Sequence, residues 1–287
     1  MAKTRLPSWI VSDAFWARVE PLIPPRAPRP SRGKYARKPG AGRKPKPARL
    51  VFEAIVYVLR TGCQWKALPH ERFGSASAIH QRFLEWEQTG VFRALWQAGL
   101  AEYDDMEGIA WRWQSIDGAL VKAPLALESV GSNPTDRGKK NGSKRMVLVD
   151  ERGIPLSLVV IGANRHDVSQ LGATLDAVVV PRPPVKPCAP QHLCADAGFV
   201  GVPALNEMFA RDYTPHVRPR GEERTERAQG KRARRWVVEV AHSWFNRFRK
   251  LLVRYEKTHR AYVALNMLAA AIICFRNVPA KINIIYG

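Results

Sequence analysis

Apolar residues recur at helical spacing through the first 110 positions. Ser12-Asp13 offers an N-cap to a helix carrying Phe15, Trp16 and Val19, which the Pro24-Pro25 pair stops. The spacing resumes with Leu50, Val51, Ala54, Ile55, Val58 and Leu59 and ends at Thr61-Gly62, glycine being the usual residue past a helix C-terminus. Ser75 can cap a further helix bearing Ile79, Phe83 and Trp86, and a last one after Gly90 carries Phe92, Leu95, Trp96 and Tyr103. Helix, turn and helix with a polar second face outline a helix-turn-helix reader, whose outward residues would be Ser77, His80, Gln81 and Arg82, and equally fit a plain helical bundle with an ordinary polar surface.

After Trp111 the period changes from 3.6 to 2. Ser115 to Val121 alternates, with Ile116, Gly118 and Leu120 on one face and Asp117, Ala119 and Val121 on the other. A polar, glycine-rich loop (Gly131 to Gly142) follows. Lys144–Val149 and Ile154–Ile161 read as strands joined by the turn Asp150-Glu-Arg-Gly153. Asp167 and Gln170 form a capping-box pattern opening a helix through Leu171, Leu175 and Val178. A short strand, Leu193–Asp196, a helix from Val202 to Arg211 and a strand from Tyr213 to Val217 come next. A long helix from about Lys231 to Lys257, with a buried stripe of Val237, Val240, Trp244, Phe248, Leu251 and Tyr255, precedes an apolar helix, Ala261 to Phe275. Three strands, then helix-linked strands, predict a mixed sheet. The expectation is an α/β chain: a helical, helix-turn-helix-like DNA-binding domain over 1–110, and a ribonuclease-H-like catalytic domain over 111–287.

Charge changes the picture more than length does. The 287 residues hold 46 Lys and Arg against 25 Asp and Glu, a formal charge of +21, which costs self-repulsion unless a polyanion neutralises it. Nucleic-acid phosphates are the default partner. Between Arg26 and Arg49 lie ten basic residues, five prolines and no acid, so this stretch is expected to be an extended arm on DNA, with Arg43, Lys44 and Lys46 among its contacts. Lys144 and Arg145 are expected to line the catalytic cleft. The apolar run Ala261–Phe275 is too short to span a bilayer, and the N-terminus lacks the apolar core of an export signal, so no membrane partner and a cytoplasmic, nucleoid-associated location are expected. Cys63, Cys188, Cys194 and Cys274 form no C-x-x-C pair and read as buried free thiols.

Cleaving a phosphodiester needs a strong nucleophile and neutralisation of a pentavalent transition state. Two divalent cations about 3.5–4 Å apart supply both. Mg²⁺ takes carboxylate ligands, so converging acids are the feature to seek. Asp117 sits mid-strand between Ile116 and Gly118, Asp196 ends a strand before Ala197-Gly198, and Glu239 is the only acid between Arg227 and Tyr255. Asp150 and Glu151 read as turn residues, Asp167 most simply as a cap with a place near the site as the alternative, and His166 and His242 as structural, with proton shuttling or phosphate contact as the alternative. Trp236 could stack on an unpaired base.

The segments Ser115-Ile-Asp-Gly-Ala-Leu-Val-Lys-Ala-Pro124, Leu193-Cys-Ala-Asp-Ala-Gly-Phe199 and Arg235-Trp-Val-Val-Glu239…Trp244-Phe-Asn-Arg-Phe-Arg249…Arg254-Tyr-Glu-Lys257 resemble the three acidic blocks of DDE transposases, most closely the insertion-sequence-five group of the four/five superfamily. Gly162-Ala-Asn-Arg-His-Asp167 and Leu59–Pro69 with Phe83-Leu-Glu-Trp86 resemble further blocks of that group. The resemblance implies a metal triad of Asp117, Asp196 and Glu239 holding two Mg²⁺, for which Mn²⁺ could substitute. It also implies phosphate contacts by Arg235, four residues before Glu239, and by Arg247, next to Asn246 at the group's lysine position. The partners implied are double-stranded DNA, as terminal inverted repeats and as target, and a homodimer or higher assembly. A nuclease that only hydrolyses, and an inactive DNA-binding repressor, are the alternatives.

Overall fold

The structure, a computed structural model, describes residues 9–25, 44–217, 219 and 236–278. Arg43, Arg235 and the part of the basic arm before Lys44 lie outside the described residues. The N-terminal helices are α1 (Asp13–Val19), α2 (Ala48–Thr61), α3 (His70–Phe73), α4 (Ala76–Gln88) and α5 (Val91–Glu107). Ser12 caps α1 as its residue type suggests, its hydroxyl accepting from the Phe15 amide at 3.1 Å. Gly62 closes α2 at φ 74°, and a Cβ there would also lie 3.0 Å from the Arg249 backbone. Only glycine meets both demands.

Six strands follow: β1 (Trp113–Lys122), β2 (Gly131–Ser132), β3 (Asn141–Val149), β4 (Pro155–Gly162), β5 (Gln191–Ala195) and β6 (Tyr213–Val217). β1, β3 and β4 are antiparallel neighbours, and β5 and β6 run parallel to β1 on its other side, giving the order β4-β3-β1-β5-β6 with β2 at the start of β3. This mixed α/β sheet, an antiparallel meander joined to helix-linked parallel strands, has the ribonuclease-H-like order.

Successive β3 residues reach opposite layers. Lys144 pairs with Asp167, ahead of α6 (Leu171–Asp176), while Arg145 meets Asn246 and Asn266. The latter two belong to α8 (Trp236–Asn246) and α9 (His259–Arg276), whereas α6 and α7 (Val202–Phe209) pack on the Lys144 side. α9 is apolar on every side because it is the molecule's central helix, lying against both β4 and α5. Its Phe275 ring sits 5.3 Å from that of Phe15, and Gly99 of α5 lets it approach closely. The N-terminal helices and the sheet thus share one hydrophobic core. Among the described residues no helix is long and apolar enough to cross a membrane.

Tertiary packing overrides local pattern in several places. The expected long helix ends at Asn246, because the following chain must form a strap: a 3-10 turn at Arg249–Leu251, a bridge from Val253 to Lys122, and a bond from the Arg254 amide to the Lys122 carbonyl at 2.8 Å. The buried face of α8 is Val237, Val238, Ala241, His242 and Phe245, so Trp244 is only half-buried, and Tyr255 beyond the helix is exposed. Asp167 forms no capping box. Its turn receives no side-chain cap, and its carboxylate is committed to the Lys144 ammonium instead. Part of the expected Gly131–Gly142 loop pairs as β2, and the helix opened by Leu171 stops at Asp176, before Val178. Cys194 and Cys274 are buried, but Cys63 is half-buried and Cys188 exposed.

Candidate active site

Asp117 and Asp196 are brought level by the sheet. Ser115 on β1 pairs with Cys194 on β5, and each aspartate stands two residues further along its strand direction. Parallel neighbours are about 4.8 Å apart, so continuing this register places the Asp117 and Asp196 backbone positions level at the edge where β5 gives way to a turn. Asp196 also shapes that turn, as its residue type suggests, accepting from the Gly198 amide at 2.8 Å. The turn packs against the segment Asp167–Gln170.

Glu239 belongs to the helix layer that covers the Asp117 face of the sheet. It lies exposed in the first described turn of α8, a helix that packs on β1 and β3. Three residues on, and therefore on the same side of the helix, His242 places Nε2 3.9 Å from Oδ2 of Asp117. Among the described residues no three His, Cys, Asp or Glu side chains stand close enough together to hold a metal ion. The donor chemistry nevertheless fits a hard divalent cation. Asp117, Asp196 and Glu239 offer only oxygen ligands.

Two further residues lie on the Asp117 face of the sheet: His242, read from the sequence as structural, and Arg145, read as a DNA contact. His242 is buried, and that burial, followed by the charge of Arg145, lowers its pKa to about 3, so the imidazole is neutral at physiological pH. It presents a bulky uncharged wall beside the carboxylate. Arg145, expected to touch DNA, is wholly inaccessible and cannot do so. Its guanidinium lies over the Phe245 ring at 4.5 Å, with long contacts to Asn266 (3.4 Å) and Asn246 (3.5 Å). Burial lowers its pKa. Arg145 faces Ala119 across the β1–β3 pair, on the face that carries Asp117. Helical spacing from Glu239 could have flagged His242; Arg145 needed the strand register. Lys144, also expected at the cleft, is nearly buried on the other face, tied to Asp167 and to the Arg165 carbonyl.

Asp150 exceeds its turn role. It is fully buried and accepts from the amides of Arg152, Ile154 and Ala110, fastening the β3–β4 turn to the end of α5.

A second constellation forms among the N-terminal helices. Lys44, Lys46, Gln81 and Arg82 line one groove of about 400 Å³ between the start of α2 and α4, floored by Val51 and Ile79. Lys46 lies across Gly74, where a Cβ would meet its ammonium at 2.6 Å. Arg82 contacts Glu85 at 2.9 Å and stacks 5.6 Å from the Trp86 ring. His80 does not join these four: half-buried, it packs on Trp65 and Phe83, with ring centroids at 4.8 and 6.1 Å. Arg247 is exposed just past the end of α8.

A family model described as "Putative transposase of IS4/5 family" matches residues 11–96, and one described as "Transposase DDE domain" matches residues 114–274. The "Putative transposase for insertion sequence element IS402" of Burkholderia cepacia is 34% identical over 151 residues, which cover 50% of this chain and 68% of that protein. The "Insertion element IS402 uncharacterized 16.2 kDa protein" of the same organism is 31% identical over 126 residues, 44% of this chain and 81% of that protein. The solved structure "Crystal structure of the Mos1 mariner paired end complex with Mn" overlays with a TM-score of 0.27 at 10% identity, covering 86% of this chain and 82% of that one.

Proposed function

The chain belongs to the IS4/5 family of DDE transposases, and on that premise we propose that it binds the terminal inverted repeats of an insertion sequence, cuts DNA at the element ends and joins the freed 3′-hydroxyl to target DNA. The observation that carries the site assignment is the register that sets Asp117 beside Asp196, with the helix bearing Glu239 packed across β1. These three carboxylates would hold two Mg²⁺ ions, or Mn²⁺ in their place. Such ions lower the pKa of a bound water or hydroxyl and neutralise charge on the leaving oxygen.

The protein's own residues do the remaining work. Asp117 is held on a strand fixed between β3 and β5, with the buried His242 ring beside its carboxylate. Lys44, Lys46, Gln81 and Arg82 grip duplex DNA in the α2–α4 groove, phosphates positioning it and Gln81 available to base edges. Trp236, exposed one turn before Glu239, offers a stacking surface for an unpaired base. The helical region 1–110 acts as the DNA-binding domain and 111–287 as the catalytic one. Handling two ends together calls for a homodimer or a larger assembly on DNA in the bacterial cytoplasm.

The test is Asp117→Asn. Cleavage of an end-containing duplex should vanish while its binding survives; undiminished cleavage overturns the site. A pre-cut end with a free 3′-hydroxyl, supplied with target plasmid, should yield joined product, and its absence would leave a hydrolase alone.

A further inference from the structure

Three arginines converge away from the carboxylates. Arg60 lies in the last turn of α2, Arg276 ends α9, and Arg247 follows α8. Arg247 and Arg276 line a pocket of about 190 Å³ together with Trp244, Phe248 and Asn277, and the Arg60 guanidinium lies 5.4 Å from the Phe248 ring centre. Partial burial, then the charges of Arg60 and Arg247, bring Arg276 down to about 10, and burial, then Arg247, lowers Arg60.

A cation at a helix C-terminus is ordinarily favourable, because it meets the negative end of the macrodipole. That effect favours one cation per terminus, each facing water. It does not favour two guanidinium groups lining one pocket with a third over the Phe248 ring that lines it, where like charges repel. Planar guanidinium groups around an opening match the oxygens of a phosphate, which they bind in pairs of parallel hydrogen bonds.

We infer that the pocket between the ends of α8 and α9 binds a backbone phosphate of DNA through Arg60, Arg247 and Arg276. The inference rests on the DNA-acting reading above. Arg247 follows Glu239 by eight residues, about 12 Å at 1.5 Å per residue, which is about three nucleotides of one strand at 3.4 Å each. The pocket thus secures the strand a short way from the position facing Glu239 and fixes which phosphodiester arrives there.

Two measurements on the full chain test this. In the first, binding of a labelled end-containing duplex is titrated against NaCl for wild type, Arg60→Gln, Arg276→Gln and Arg276→Lys. Each Gln variant should lower the slope of log K against log salt, by no more than about 1 in total for the single phosphate, whereas Arg276→Lys keeps the slope and loses affinity. In the second, thermal melting is compared in sodium phosphate and in NaCl at equal ionic strength. The wild type should melt higher in phosphate, and Arg60→Gln/Arg276→Gln should lose that increment while melting like wild type in chloride. Unchanged slopes in a wild type that binds DNA, or a phosphate increment that survives the double substitution, overturn the pocket. A wild type that binds no DNA but keeps an arginine-dependent phosphate increment would overturn the DNA reading and spare the anion site.

Discussion

Gly118→Ala probes how tightly the strand beneath Asp117 is held. The added methyl would point away from Asp117, toward the face that carries the Lys144–Asp167 pair. It would stand 2.7 Å from Met146 Sδ, 2.9 Å from Asp167 Oδ2 and 3.0 Å from Lys144 Cδ, where ordinary contacts are about 3.5–4.0 Å. Inserting a methyl into such packing costs about 1–3 kcal/mol, and replacing glycine by alanine in a strand returns about 0.5–1 kcal/mol. The expected net loss is about 0.5–2 kcal/mol. Function should suffer further. A 1 Å misplacement costs about 10²-fold in rate, so a shift of about half that in β1 should slow cleavage about tenfold. Urea denaturation reads the first quantity and cleavage of an end-containing duplex the second. Adding Met146→Val removes the nearest atom and should restore part of both, giving a coupling of about 1 kcal/mol in a double-mutant cycle. A Gly118→Ala protein within about 0.3 kcal/mol of wild type and equally active would refute the reasoning.

Arg145→Met should fold with stability equal to wild type or up to about 2 kcal/mol higher, since the cost of burying the charge is only partly offset by Tyr262, the Phe245 ring and long contacts to Asn246 and Asn266; a loss above about 3 kcal/mol in urea denaturation would show that the charge is well paired. Asp150 has a folded pKa raised by burial, against the opposing pull of its amide donors. Its contribution to stability is therefore fully present below the unfolded carboxyl value and lost as pH rises through the folded one, at no more than about 1.4 kcal/mol per pH unit. Asp150→Asn should flatten the stability profile from about pH 4 upward, and profiles that run parallel would contradict this.

The helices around Phe15, Ile55, Phe83 and Leu95, and the alternation around Asp117, were legible in the sequence because burial of one face imposes a period that needs no partner to be seen. The three acids stood out for a similar reason: they are isolated in a basic chain. Residue order also implied that antiparallel strands precede helix-linked ones. What the sequence could not supply was register and layer. Only the pairing of Ser115 with Cys194 sets Asp196 beside Asp117, and only the pairing of Ala119 with Arg145 buries that arginine instead of offering it to DNA. The break after Asn246 was likewise hidden, since the helical pattern continues to Tyr255 and the competing bonds come from Lys122, far away in the chain. Periodicity reports which face of an element is wet or dry. The identity of the element lying against that face depends on contacts distant in sequence, and those exist only once the chain has closed on itself.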